Sequence, residues 1–224
     1  MNGPIVNYCE RTSAAFWAEP INALTNLAFL LAAYGALRLA RQHVQPWQWR
    51  RDWPIAWLIA LIAIIGVGSG LFHTLATYEA MLADVIPIAL YQISFLAIYS
   101  RRIIRLPMVA VGGLTILFLL SGWLMGQLVP PSLHSQSNGS LAYAPALLFL
   151  AGLALYHQRS GALLAPFALW QAVGLFLLSL TARTLDLVVC AQIPIGLHFL
   201  WHLLNAGVLY LTMRALLLNW RRST

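Results

Sequence analysis

The chain has 224 residues, of which 61% are hydrophobic and 8% are charged, and its mean hydropathy is +0.77. Soluble domains carry about 25% charged residues, so this composition excludes an ordinary soluble protein and indicates a membrane protein. The formal net charge of +7 does not indicate nucleic-acid binding, because the arginines fall in short loops between apolar runs. The sequence contains no lysine, which excludes a retinal protein, since retinal needs a lysine for its Schiff base.

Seven apolar runs follow one another, each long enough to cross a bilayer. They predict membrane-spanning helices near residues 20–40, 54–72, 82–100, 107–126, 141–157, 162–182 and 196–217. The polar start of the chain does not resemble a cleavable signal peptide, so we expect the first apolar helix to act as its own insertion signal. We therefore expect an all-α membrane protein with a single domain over residues 1–224, in which residues 1–19 form an outer N-terminal segment.

The arginines indicate the orientation of these helices. Eleven of the thirteen fall on the same side of the predicted bundle: Arg38, Arg41, Arg50, Arg51, Arg101, Arg102, Arg105, Arg159, Arg214, Arg221 and Arg222. Because cytoplasmic loops carry an excess of basic residues, this side is predicted to be cytoplasmic. The N-terminus is then outside or luminal, and the C-terminus is cytoplasmic. The outer side would face the periplasm in a bacterial plasma membrane, or the lumen of the ER or Golgi in a eukaryotic cell.

Histidine, aspartate and serine side chains collect at the predicted outer ends of three helices. Ser69 and His73 lie four residues apart and share one face of the second helix, and His198 and His202 have the same spacing on the seventh. Asp84 begins the third helix, one short loop after His73. Each residue alone has a structural explanation in capping or packing. Together, at one depth of a chain so poor in polar residues, they indicate a functional site.

Their chemistry indicates a zinc-dependent hydrolase. Three histidines with an open fourth position are the ligands typical of catalytic zinc, and such zinc lowers the pKa of water to about 7. We predict that His73, His198 and His202 bind the metal. Asp84 would transfer the proton of the attacking water to a leaving amine, and Ser69 would stabilise the developing oxyanion.

The same residues resemble the alkaline ceramidase family, which is related to other seven-helix membrane hydrolases and to the progestin/adiponectin receptors. The resemblance rests on SxxxH at residues 69–73, an aspartate eleven residues later, and the C-terminal HxxxH. It also rests on "NYCERTSAAFWAEPINALTN" at residues 7–26 and "YEAMLADVIPI" at residues 78–88. It covers the whole chain. It implies hydrolysis of the amide of a ceramide-like membrane lipid to a sphingoid base and a fatty acid.

The resemblance further implies a calcium site and a disulfide. The matching calcium ligands are Asn7, Tyr8 through its backbone carbonyl, Glu10, Thr12 and Glu19. Asn7 and Thr12 stand where the animal enzymes carry aspartate and asparagine, so weaker binding is expected. Alternatively, Glu10 and Glu19 are interfacial groups paired with Arg11 or Arg183. Members of the family link these two regions by a disulfide, so the resemblance implies a bond between Cys9 and Cys190. The alternative is that both are buried free thiols.

Other functions stay open at this point. The same machinery could hydrolyse a different N-acyl lipid. A zinc-binding receptor of the progestin/adiponectin type is an alternative, although the short loops leave no room for an effector domain. A divalent-metal transporter would need polar residues continuing to the inner face, and few are present. Arg183 and Asp186, three residues apart, are interpreted as a local ion pair. We expect a membrane lipid as the binding partner and no nucleic acid, and the sequence indicates no obvious protein partner.

Overall fold

The computed structural model describes residues 5–221. Within this range seven helices are long and apolar enough to span a membrane: α1 (Pro20–His43), α2 (Trp49–Leu75), α3 (Tyr78–Arg102), α4 (Met108–Leu128), α5 (Ser140–Arg159), α6 (Ala168–Val188) and α7 (His198–Asn219). The predicted all-α architecture with seven spans is therefore confirmed. Residues 1–4 of the expected N-terminal segment, and Arg222, lie outside the described residues.

Three of the spans depart from a continuous α-helix at one end. α1 consists of a short helix, Pro20–Thr25, followed by the longer helix Leu27–His43. α5 begins and α6 ends with a turn of 3₁₀-helix, Ser140–Tyr143 and Asp186–Val188 respectively. The short helix Pro131–Gln136 lies between α4 and α5.

The sixth span begins later than predicted, at Ala168 instead of near residue 162. The apolar stretch before it forms a loop whose polar backbone is held by side chains. Leu164 donates its backbone N–H to Asn219 Oδ1 at 2.7 Å, and its carbonyl lies 3.0 Å from His157 Nε2. Pro166 disfavours helical geometry at Ala165, which has a φ of 54°. The predicted helix therefore began too early, because the loop before Ala168 is as apolar as a membrane-spanning helix.

The connections alternate between two ends of the bundle. One end holds the N-terminal segment and the connections at residues 76–77, 129–139 and 189–197; we call it the histidine end. Its parts are joined by hydrogen bonds, such as that from Ile5 N to the Ala76 carbonyl at 2.9 Å. At the opposite end the buried carboxylate of Asp52 accepts a hydrogen bond from Trp220 Nε1 at 2.8 Å. This contact ties the start of α2 to the end of α7.

The helices that carry the histidines lie at the centre of the bundle. α2 packs against α1 and α3, and α7 packs against α1 and α6. Small residues on α1, namely Ala32, Ala33 and Ala36, are buried and let neighbouring helices approach closely. α4 is peripheral, with the smallest buried fraction of the seven spans. This arrangement brings the ends of α2 and α7 together beneath the N-terminal segment.

A disulfide joins Cys9 to Cys190, with a Cα–Cα distance of 5.3 Å. The bridge suggested by the resemblance is confirmed, and the alternative of two free thiols is wrong. It fastens the N-terminal segment to the connection between α6 and α7. The segment is thereby held over the first turn of α7, which begins at His198.

Removing this bridge should destabilise the protein. We expect Cys190→Ser to lower the free energy of unfolding by about 2–4 kcal/mol, because the unfolded chain is no longer constrained by a long loop. The thermal midpoint in detergent measures the loss, and reduced against non-reduced peptide maps check the bond. The double variant Cys9→Ser/Cys190→Ser should match the single one, since both remove the same bond. A clearly larger loss in the double variant would contradict a shared bridge.

Candidate metal centre

Three buried histidines converge at the histidine end of the bundle. His73 lies in the last turn of α2, while His198 and His202 lie on the first two turns of α7. All three side chains are at most 1% exposed. One ring nitrogen from each lies within 4.8 Å of the others, so the three can bind a single ion. The structure therefore brings together the three ligands predicted from the two histidine motifs.

Two of these rings are oriented by hydrogen bonds through Nδ1. His73 Nδ1 lies 2.6 Å from Glu19 Oε2, and His202 Nδ1 lies 2.9 Å from Thr25 Oγ1. The Thr25 hydroxyl donates to a carbonyl one turn earlier in α1, so it accepts from His202. A proton held on Nδ1 leaves the lone pair on Nε2 free, which is the common arrangement of metal-binding histidines.

Three of the four remaining ring nitrogens have no partner within the described structure. These are Nε2 of His73, Nε2 of His202 and Nδ1 of His198, and all three are buried. Buried polar atoms without hydrogen bonds are costly, so such a cluster needs an explanation. A metal ion shared by the three histidines would give one nitrogen of each ring a partner, since such nitrogens lie within 4.8 Å of one another. The donor set, with three neutral imidazoles and no thiolate, fits zinc.

Asp186 positions the first turn of α7. Its Oδ1 accepts the backbone N–H groups of Leu197 and His198 at 2.6 and 2.9 Å, and its Oδ2 accepts that of Cys9 at 3.1 Å. Gly196 precedes this turn with a φ of 65°, and a Cβ there would meet Asp186 and Cys9. Glycine is thus required for Asp186 to approach the helix start.

Arg183 does not pair with Asp186, so that interpretation of their spacing is wrong. Arg183 donates instead to the Asn138 carbonyl at 2.9 Å and to the Tyr8 hydroxyl at 3.2 Å. Its guanidinium also lies 5.0 Å from the centre of the Trp201 ring, within cation–π range. Asp186 is satisfied by backbone N–H groups, which removes the reason for a local ion pair.

Tyr8 covers the metal centre from the N-terminal segment. Its ring stacks on His198 with centroids 3.5 Å apart and planes 15° apart. Burial raises the pKa of Tyr8 to about 12, so its hydroxyl stays protonated at neutral pH. The family resemblance implied a role only for its backbone carbonyl, as a calcium ligand. That carbonyl instead accepts the N–H of Arg11 at 3.3 Å.

Ser69 lies one turn before His73 on α2, and Asp84 lies near the start of α3, which packs against α2. The Asp84 carboxyl interacts with the Ser69 hydroxyl and is within electrostatic range of His73 and Arg183. α2 and α3 approach closely at this point, because a Cβ on Gly68 would overlap the backbone carbonyl of Ala83. The missing side chain of Gly68 therefore allows the contact between Ser69 and Asp84.

The five residues matched to calcium ligands do not share one environment. Asn7 and Thr12 are exposed, whereas Glu19 is buried. Glu10 accepts the backbone N–H groups of Ile21 and Asn22 at 2.7 and 2.8 Å, at the start of α1.

Glu19 lies inside the protein, between Arg11 and His73. Its pairing with Arg11 agrees with the alternative interpretation of this residue, although the pair is buried and not interfacial. Burial raises the pKa of Glu19, but the hydrogen bonds that its carboxylate accepts from His73, Arg11 and Asn22 outweigh this effect. The pKa is held below its ordinary value, so the carboxylate is ionised.

Sequence reasoning missed the residues that support the histidines. Glu19 was assigned to calcium, and neither Thr25 nor the capping role of Asp186 was anticipated. Thr25 lies within the stretch at residues 7–26 that carries the family resemblance, but no role was predicted for it. One signal was available: buried metal-binding histidines need a partner for their second nitrogen, and Glu19 is an acidic residue directly before a membrane helix.

Comparison with known protein families gives one result that bears on this site. The family model described as Ceramidase matches residues 4–223, nearly the whole chain. A comparison with curated proteins gave no match. The matched range includes the three histidines, Asp84, Ser69 and both cysteines. The chain therefore belongs to the ceramidase family.

Proposed function

We propose that this protein is a zinc-dependent intramembrane amidase that hydrolyses ceramide-like lipids to a sphingoid base and a fatty acid. One observation carries the proposal: three buried histidines with unpartnered nitrogens converge next to Asp84 and Ser69. Membership of the ceramidase family supports the same reaction. Zinc bound there would supply a Lewis acid and lower the pKa of a nearby water to about 7.

The residues around the histidines suit amide hydrolysis. Asp84 stands where it can take a proton from the attacking water and return it to the amine as the carbon–nitrogen bond breaks. The Ser69 hydroxyl can donate to the oxygen that becomes negative during the attack. Tyr8 and Arg183 close the site from the side of the N-terminal segment.

An apolar cavity adjoins the metal centre and suits the hydrocarbon chains of a lipid. All seven spans contribute residues to its lining, which is almost entirely apolar and includes Phe29, Phe95, Phe118 and Trp201. Trp201 directly precedes His202 in the chain. A substrate with its chains in this cavity would bring a headgroup amide to the histidines.

The arginines support an orientation for the site. The basic residues near the helix ends, such as Arg51, Arg102 and Arg221, lie at the end opposite the histidines, where they contact Asp52, Trp220 and the start of α2. By the positive-inside rule that end is cytoplasmic. We therefore place the metal centre at the periplasmic face of a bacterial plasma membrane, or at the luminal face of the ER or Golgi in a eukaryote.

Mass spectrometry of lipid hydrolysis tests this proposal. Purified protein in detergent is offered a panel of ceramides and other N-acyl lipids, with His202→Ala as the inactive control. Fatty-acid release from ceramide by the wild type alone is the expected result. Release from another amide lipid would keep the mechanism and change the substrate. No release from any lipid, by protein that holds zinc, would overturn the enzyme proposal in favour of a receptor-like role.

The close approach of α2 and α3 at Gly68 should be needed for turnover but not for zinc binding. We expect Gly68→Ala to reduce ceramide hydrolysis about 100-fold, because the added Cβ pushes Ala83 and Asp84 away from Ser69. Zinc content should stay at the wild-type level, since α7 and His73 are not displaced from each other. Gly70→Ala is the matched control, because a Cβ there meets nothing within 4 Å. Equal rates for the two variants would contradict this role of the close approach.

A further inference from the structure

Calcium, which the family resemblance implies for the N-terminal segment, does not fit the residues found there. Calcium takes six to eight oxygen ligands, with several carboxylate oxygens among them. The segment offers two carboxylates, Glu10 and Glu19. The oxygens of Glu19 already accept hydrogen bonds from Arg11 Nε, from His73 Nδ1 at 2.6 Å and from Asn22 Nδ2 at 3.0 Å.

Glu10 is engaged as well, because both of its oxygens accept backbone N–H groups at the start of α1. In addition, a positively charged side chain already lies beside Glu19. The guanidinium of Arg11 is fully buried and pairs with Glu19. A divalent ion placed at Glu19 would have to overcome repulsion from this fixed charge at short range, in surroundings from which water is excluded.

Arg11 makes contacts that join the N-terminal segment to α2. Its Nε donates to Glu19, and its Nη1 lies 3.3 Å from the carbonyls of Ser13 and Ala15. Its Nη2 donates to the backbone carbonyl of His73 at 2.9 Å. A cation is favourable at that place, because His73 lies in the last turn of α2, where the helix dipole is negative. The planar guanidinium satisfies all these acceptors at once.

We propose that Arg11 is a built-in cation that takes the place of calcium in this chain. It holds the N-terminal segment against α2 and fixes the carboxylate of Glu19 on Nδ1 of His73. Arg11 is therefore a positioning residue for the metal centre. The N-terminal segment then binds no calcium, and neither the stability nor the zinc affinity of the protein depends on calcium.

A calcium titration of the wild-type protein tests the first part without reference to any reaction. Zinc-loaded, full-length protein in calcium-depleted detergent buffer is titrated with CaCl₂, with MgCl₂ as the control for ionic strength. We expect no saturable heat of binding, no calcium in the purified protein by elemental analysis, and a thermal midpoint that moves by less than about 1 °C. One calcium ion per chain, with a midpoint that rises by several degrees, would overturn the proposal.

Variants of Arg11 test the positioning role, which rests on the proposed zinc site. We expect Arg11→Gln to weaken zinc affinity by about 10- to 100-fold in competition with a chelator, as loss of an outer partner of a metal-binding histidine does. Arg11→Lys keeps the positive charge but loses the planar set of guanidinium N–H donors. Its zinc affinity should lie between those of Arg11→Gln and the wild type. Arg41→Gln, an exposed arginine on the opposite end of α1, is the matched control. Wild-type zinc affinity in both Arg11 variants would overturn the positioning role.

Discussion

Replacing His202 with alanine should leave the purified protein without zinc and should reduce ceramide hydrolysis by at least about 10³-fold. The expected loss is large because the ring contributes one of three nitrogens that lie within 4.8 Å of one another. Two imidazoles remaining in a buried site would not hold the ion against a chelator. His198→Ala should behave in the same way. Elemental analysis of the purified variants, together with fatty-acid release, measures both effects.

A matched histidine variant separates metal loss from general damage. His43 is exposed at the far end of α1, so His43→Ala should keep both zinc and activity. Stoichiometric zinc in His202→Ala would show that this residue is not a ligand. Wild-type turnover in protein that has lost its zinc would mean that the metal supports the structure and takes no part in the reaction.

The second large effect concerns Asp84. We expect Asp84→Asn to keep its zinc while turnover falls by about 10²- to 10⁴-fold, the range for removal of a general acid–base group. The amide has nearly the same shape as the carboxyl group, so packing beside Ser69 should be preserved. The amide cannot take the proton of the attacking water. Zinc content and the rate of fatty-acid release, measured on the same preparation, distinguish a chemical loss from a structural one.

Glu79→Gln provides the control for this substitution. It makes the same chemical change on the same helix, but Glu79 is exposed in the first turn of α3. We expect it to hydrolyse ceramide at the wild-type rate. If Asp84→Asn matched that rate, its role as the base would be wrong, and the search would move to other groups near the histidines.

The fold could be predicted largely from the sequence because a bilayer leaves few choices. Each apolar run of about 20 residues must form a helix to satisfy its backbone, so seven runs predicted seven spans. The prediction was wrong at residues 162–167. These residues are apolar but form a loop, in which backbone groups make hydrogen bonds with the side chains of Asn219 and His157. Hydropathy counts side chains and does not detect backbone groups that find partners elsewhere.

The histidines could also be predicted, since helical spacing and alternation of the spans place His73, His198 and His202 at one depth. The supporting contacts could not. Whether Glu19 meets His73 depends on how residues 9–19 fold back over α2, and that path is determined by the disulfide and by the burial of Arg11. Both glutamates in this segment carry the same charge in the sequence. Only the folded structure shows that Glu10 caps the start of α1 and that Glu19 contacts His73.

The bond between Cys9 and Cys190 has a topological consequence for the whole bundle. The two residues are 181 positions apart, so α1 to α6 lie within one covalent ring. A protease that cuts once within this ring, for example in the loop at residues 160–166, opens the ring but releases no fragment. Such a nicked molecule would migrate as one chain until it is reduced, and then as two. The protein could therefore lose a peptide bond and still keep all three histidines on one connected molecule.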